Sequence, residues 1–410
     1  MKNKAKLPVR KPRYIESAAK LLGGQVSEKT IRMPINNLLM GGDYTGTLYV
    51  GSQKKPVNVT LDTGSSTFAI DGNAYDPTKD KTAKVTDLVQ EVQYGDGSNW
   101  LGGVVSTDVT AGIGGQSATV HQVNLAVAYE ESKSMFRNSN GILGLAYTRL
   151  NDAYEMPGPT LPPKYHFNQI QAGHKTFIEP YFTQLESAGI VANKFAFYTL
   201  RSVVNLATAK PATDPSNNGF LILGGGEEST DLYTGAFQVA RVVDDEYYNT
   251  NLKQIVVGTG RPISVSPPIK ASGNASNSIV DSGTNGIYLD QTIFNAVVSE
   301  LSEENADALQ AGYVPLSQLD LSAWPSITFV LEGALGKDVS LTVAPDTYWQ
   351  LNAPKKGYAL AVFYGDKGQG GGQSILGLPL MNNYFTIFDR SVNKGLGVIS
   401  FATIKRPAGE

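Results

Sequence analysis

The chain has 410 residues, enough for two lobes rather than one core, and its 41% apolar content with 20 Tyr and 15 Phe is that of a globular protein. It holds no cysteine and only His121, His166 and His174, far apart, which excludes disulfides and thiolate metal sites and argues against a histidine-bound zinc. Charge is sparse, at 17% of residues with a net −3, and no stretch reaches the roughly 18 apolar residues of a membrane span.

Residues 1–32 carry nine Lys/Arg against Glu16 and Glu28, leaving 25 basic and 35 acidic residues in the rest. A basic extension over residues 1–30, a short prosegment or a disordered arm, thus precedes an acidic body. Its positive start lacks the apolar run of a secretory signal, so a cytoplasmic location is the expectation. No basic, aromatic-interleaved surface supports nucleic-acid binding, and a monomer without membrane partners is expected.

From Ile31 the pattern becomes β. "YTGTLYVG" and "KKPVNVTLDTG" read as a hairpin, with Val57, Val59 and Leu61 alternating towards one face. "EVQYGDGSNWLGGVVSTDVT" reads as a second hairpin with Gly-Asp-Gly-Ser at its tip. Residues 150–175, with Pro157, Pro159, Pro162 and Pro163, read as a long surface excursion. Helical spacing then runs through Phe177, Tyr181 and Leu185. Asn218–Val239, with Gly224–Gly226, is the candidate boundary; without Lys-Ser/Thr its glycines are a turn or linker, not a phosphate loop.

Two stretches carry the chemistry. "VTLDTGSS" and "SIVDSGTN" each place Asp-(Thr/Ser)-Gly after apolar β-formers, at Asp62 and Asp281 and nowhere else. Each is followed by an Ile-Leu-Gly triplet ending at Gly144 or Gly377, 82 and 96 residues on, which points to a duplicated lobe. Chance would supply two such tripeptides in roughly a few per cent of sequences at most. Paired carboxylates can share one proton, since like charges at short range cannot both ionise cheaply. The ionised member takes a proton from water while the protonated one polarises a carbonyl, with no covalent intermediate. Glycine permits close backbone approach, and the hydroxyl residues can hold the carboxylates.

At this point the sequence resembles the pepsin-like aspartic proteases. "LDTGSS" and "IVDSGT" match that family's two catalytic signatures, "VQYGDGS" its flap, "NGILGLAY" its apolar-glycine element, and Ile375–Ala402 its C-terminal run. The resemblance covers about Ile31 to Ala402. It implies an all-β, bilobal fold with pseudo-twofold symmetry and an interlobe cleft, residues 31–222 forming the N-terminal lobe and 223–410 the C-terminal one. It implies Asp62 and Asp281 as catalytic, with Thr63 and Ser282 locking the two loops together and Ser65 and Thr284 bonding the carboxylates. Gly64, Gly283 and the flap at Gly95 and Asp96 would hold the substrate main chain. Tyr94 would close over an extended polypeptide, with Ile142 beside it.

No cofactor and no metal are implied; pepstatin-type inhibitors are. An acid optimum and apolar side chains beside the cut follow the family. The chain departs from it in having no Trp after the first signature, so Trp100 is either core packing or a substitute. Its lack of cysteine is that of the bacterial-type members. A pepsin-fold binding or inhibitor protein without catalysis is the alternative; a two-carboxylate glycosidase explains the aspartates but neither the duplication nor the flap.

Overall fold

The computed structural model describes residues 29–407, except 40, 96, 134, 137–138, 207–209, 268–275, 354 and 367–372. Most of the basic extension therefore lies outside the described residues. The fold is all-β and bilobal, with a few short helices.

Both expected hairpins form. Tyr44–Val50 runs antiparallel to Lys55–Asp62, with Gly46 opposite Val59. Gly51 turns between them at φ +76°, in the left-handed region open to glycine. Val57, Val59 and Leu61 are buried, as a period of two requires of a strand with one face on the core. Lys84–Gln93 pairs with Asn99–Ala111, and that strand with Ala118–Glu131.

The Ile-Leu-Gly triplets explain the duplication. Gly141–Gly144 inserts between the strands that flank the Asp62 loop, parallel to Lys55–Asp62 and antiparallel to Phe68–Asp71. Ser374–Leu376 does the same in the second half, parallel to Ser278–Val280 and antiparallel to Ile287–Asp290. One three-strand unit is thus built twice, each with an aspartate where its first strand turns.

The halves share a platform of antiparallel strands in the order Ile31–Asn37, Asn218–Leu223, Lys194–Tyr198, Tyr384–Asp389, Val398–Ile404 and Tyr233–Arg241. Its core face carries Phe195, Phe197 and Phe388, with Phe195 stacked on Phe388 at 5.1 Å and Tyr248 packed on both. Each such fully buried ring contributes about 1.5–3 kcal/mol over leaving it in water. The chain leaves the platform through Gly224, at φ +80°, and returns at Tyr233.

Two local expectations are corrected. The ends of 150–175 are sheet: Asp152–Glu155 pairs with His174–Phe177, and joins Lys84–Gln93 at Leu88 and Val89. The four prolines, which cannot donate to a ladder, fall between those strands. Four-residue strands at a sheet edge leave too short an alternation to read without their partners. The helix spans Tyr181–Ser187 and buries Tyr181, Phe182 and Leu185, whereas Phe177 ends a strand and is 53% exposed. Pro180 sets that boundary, because the residue before a proline is forced out of the helical region. Among the described residues, no helix is long and apolar enough to cross a membrane.

Candidate active site

Asp62 and Asp281 stand at the ends of equivalent strands, 6% and 7% exposed. Each is held alike. Asp62 accepts the Gly64 N–H at 2.7 Å and the Ser65 hydroxyl at 2.5 Å. Asp281 accepts the Gly283 N–H at 2.8 Å and the Thr284 hydroxyl at 2.5 Å.

The two loops meet face to face. A Cβ on Gly64 would lie 2.7 Å from the Asp281 carboxyl carbon, and one on Gly283 would lie 2.3 Å from Asp62 Oδ1. Only glycine lets each backbone approach the opposite carboxylate so closely. Beneath them, Thr63 and Ser282 are fully buried and make four hydrogen bonds between the two loops, two of them to each other. Thr63 Oγ1 donates to the Val280 carbonyl at 3.1 Å and accepts the Ser282 N–H at 2.8 Å. Ser282 Oγ donates to the Leu61 carbonyl at 2.9 Å and accepts the Thr63 N–H at 3.1 Å. Both hydroxyls and both backbone N–H groups are satisfied, so their burial adds rigidity rather than an unpaired-group penalty.

Burial holds the Asp62 carboxyl well above the ordinary carboxylate range, and the charge of Asp281 adds to it. The Ser65 hydroxyl and Gly64 N–H pull the other way. Two facing carboxyls of this kind cannot both ionise cheaply, which is the physical basis for one proton serving both.

Tyr94 follows the strand Lys84–Gln93 at the mouth of the flap turn, where its N–H donates to the Ser98 carbonyl at 2.8 Å. Its ring packs with Ala69, Trp100, Phe136 and Ile142. Trp100 is fully buried and its Nε1–H donates to the Tyr94 hydroxyl at 3.2 Å. The tryptophan missing after the first signature is thus matched by one from the flap's own return strand. Burial and the charge of Asp62 raise the Tyr94 phenol, while the Trp100, Thr67 and Ser65 side chains lower it. Gly95 is exposed and a Cβ there would meet nothing within 4 Å. Asp96 lies outside the described residues.

Two residues were not legible in the sequence. Asp43, at the start of Tyr44–Val50, is pushed up to about 6 by burial and by the charge of Asp281. The Tyr247 phenol is raised by burial first, then by Glu246, Asp62 and Asp281. Neither sits in a repeated motif, and only the folded cleft brings them to the dyad. Among the described residues, no group of three or more His, Asp or Glu is placed to hold a metal ion.

The geometry agrees with what is found among known proteins. A family model described as eukaryotic aspartyl protease matches residues 43–403. Pepsin A of Sus scrofa is 25% identical over 396 residues, which cover 93% of this chain and 85% of that protein. A beta-secretase of Strongylocentrotus purpuratus is 25% identical over 383 residues, covering 85% of this chain but only 64% of its own length.

Proposed function

This chain belongs to the eukaryotic aspartyl protease family, and from that membership we propose that it is an aspartic endopeptidase whose dyad is Asp62 and Asp281. The observation that carries the reading is the equivalently held pair of buried carboxylates, each fixed by one backbone N–H and one hydroxyl. One proton is shared between them. The ionised carboxylate removes a proton from water as the water attacks the scissile carbonyl, and the protonated one donates to the carbonyl oxygen. Collapse of the tetrahedral intermediate returns a proton to the leaving amine, and no covalent enzyme intermediate forms.

The substrate is an extended polypeptide. Tyr94 closes over it, and Gly64, Gly283 and Gly95 take its main chain. The apolar group of Trp100, Phe136 and Ile142 behind Tyr94 supports apolar side chains beside the cut. An acid optimum is supported by the shared proton and by Asp43, a third carboxyl near the dyad. Absence of cysteine supports a place among the bacterial-type members, and a reducing compartment such as the cytoplasm. We place the lobe division at residues 222/223, with 1–30 as a separate extension, and take the chain to act as a monomer.

The test is incubation with an unstructured protein from pH 2.5 to 8, with and without pepstatin. Pepstatin-sensitive cleavage is expected at acid pH. No cleavage at any pH would leave a binding protein of this fold instead.

Two further outcomes are expected. Ser65→Ala removes a hydroxyl that favours the Asp62 carboxylate, so the dyad keeps its proton to higher pH. A charge-assisted bond of about 1.5 kcal/mol corresponds to roughly one pH unit. The alkaline limb of kcat/KM should therefore move up by about that much, and an unmoved limb would refute the role. Trp100→Phe keeps a ring but loses the donor to Tyr94. With a hydrogen bond worth about 1 kcal/mol, kcat/KM should fall roughly fivefold. The alkaline limb should stay in place, because the dyad's own partners are untouched.

A further inference from the structure

One feature lies away from the dyad. A cavity of about 440 Å³ opens on the flank of the first lobe, lined by Asp87, Asn124, Glu155, Phe177, Glu179 and Gln184 among others. Asp87 lies on the strand that ends beside Tyr94, seven residues earlier, so the cavity is roughly 23 Å from the flap. We infer that this cavity is the docking site of the chain's own basic N-terminal segment, within residues 2–20.

Charge is the first support. Residues 1–28 hold Lys2, Lys4, Lys6, Arg10, Lys11, Arg13 and Lys20 against Glu16 and Glu28. The cavity presents three carboxylates, Asp87, Glu155 and Glu179. Among the described residues, the His174 imidazole lies 3.7 Å from Glu155, and Lys175 bonds Asp152 at 2.6 Å. Burial and the neighbouring Glu186 raise the Glu179 carboxyl, as in a site short of positive charge. Phe177 offers an exposed face for the stem of a Lys or Arg; Lys175 Nζ already lies 5.8 Å from its ring centre.

Position is the second support. The described residues begin at Lys29, whose N–H donates to the Ile190 carbonyl at 2.8 Å, so the segment is tethered at that point. Ile190 is three residues beyond the helix Tyr181–Ser187, which carries Gln184 at its middle and begins two residues after Glu179. That helix is about 10 Å long. Lys20, nine residues before Lys29, reaches roughly 30 Å from it when extended. The cavity mouth is well inside that radius. Single exposed ion pairs contribute about 1 kcal/mol or less. A tethered segment makes several at an effective concentration on the order of millimolar, which decides in favour of occupancy.

The test uses the full chain as Asp62→Asn, so that the segment stays attached. Zero-length carbodiimide coupling followed by digestion and mass spectrometry should join Lys2, Lys4, Lys6, Lys11 or Lys20 to Asp87, Glu155 or Glu179. Adding Glu155→Gln with Glu179→Gln should lower coupling to the cavity at least fivefold, Asp87 included. Coupling to Asp43 or Asp281 would place the segment in the catalytic cleft and overturn the inference. So would scattered coupling that the double substitution leaves unchanged, or none. The outcome does not depend on whether the dyad hydrolyses peptides.

Discussion

Asp62→Asn should lower kcat roughly a thousandfold or more while leaving a folded protein. The amide keeps the shape: its oxygen still accepts the Gly64 N–H, which lies 2.7 Å from Oδ1, and its NH2 can donate to the Ser65 hydroxyl that lies 2.5 Å from Oδ2 in the parent. It cannot hold or release the shared proton. A second readout separates this from damage. The folded-state pKa of Asp62 is raised, chiefly by burial and by Asp281. Between the unfolded pKa of about 3.9 and the raised folded one, the native state binds more protons than the unfolded state. Stability then falls as pH rises through that window. The substitution removes this loss, so its melting temperature should exceed that of the parent at pH 7 and match it near pH 3. Residual activity within tenfold of the parent would sink the dyad assignment. A lower melting temperature at pH 7 would sink the electrostatic account.

Gly377→Ala should destabilise the second lobe by roughly 3 kcal/mol or more. The backbone at Gly377 is extended, with φ −85° and ψ −156°, so alanine meets no conformational obstacle there. The obstacle is contact. A Cβ would sit 2.3 Å from both the Thr284 and the Gly286 carbonyl oxygens, which belong to the backbone of the Asp281 loop. That backbone cannot step aside without dragging Asp281 from its partner. Gly144 stands in the same relation to the Asp62 loop, where a Cβ would lie 2.5 Å from the Ser66 and Thr67 backbone. Denaturant midpoints of Gly377→Ala and the open-space control Gly95→Ala decide the matter. A large loss in the first and little change in the second is the expected pattern, and equal midpoints would refute it.

These contacts also account for which features were legible in the sequence. Asp-x-Gly and Ile-Leu-Gly recur because backbone meets backbone or carboxylate at those points, and no other residue fits. The Thr63–Ser282 lock was legible through the resemblance to the pepsin-like family, not from the residues alone, since their burial exists only in the fold. Trp100 was visible as a residue but not as the partner of Tyr94, because its 3.2 Å bond depends on the curl of the flap hairpin. Asp43 gave no sign at all. Its environment is made first by burial and then by the charge of Asp281, 238 positions away. The edge strands Asp152–Glu155 and His174–Phe177 were hidden for the same reason, each being defined by its partner.

The lock between Thr63 and Ser282 joins residues 219 positions apart, and that separation has a meaning in time. At a synthesis rate of about 5–20 residues per second, the loop bearing Asp62 waits roughly 10 to 40 seconds for its counterpart to be made. The platform waits longer still, because Lys194–Tyr198 pairs with Tyr384–Asp389 and that strand with Val398–Ile404, near the end of the sequence. A growing chain therefore carries one half of a dyad with nothing opposite it. Whatever the finished molecule cuts, it cannot cut while it is being made.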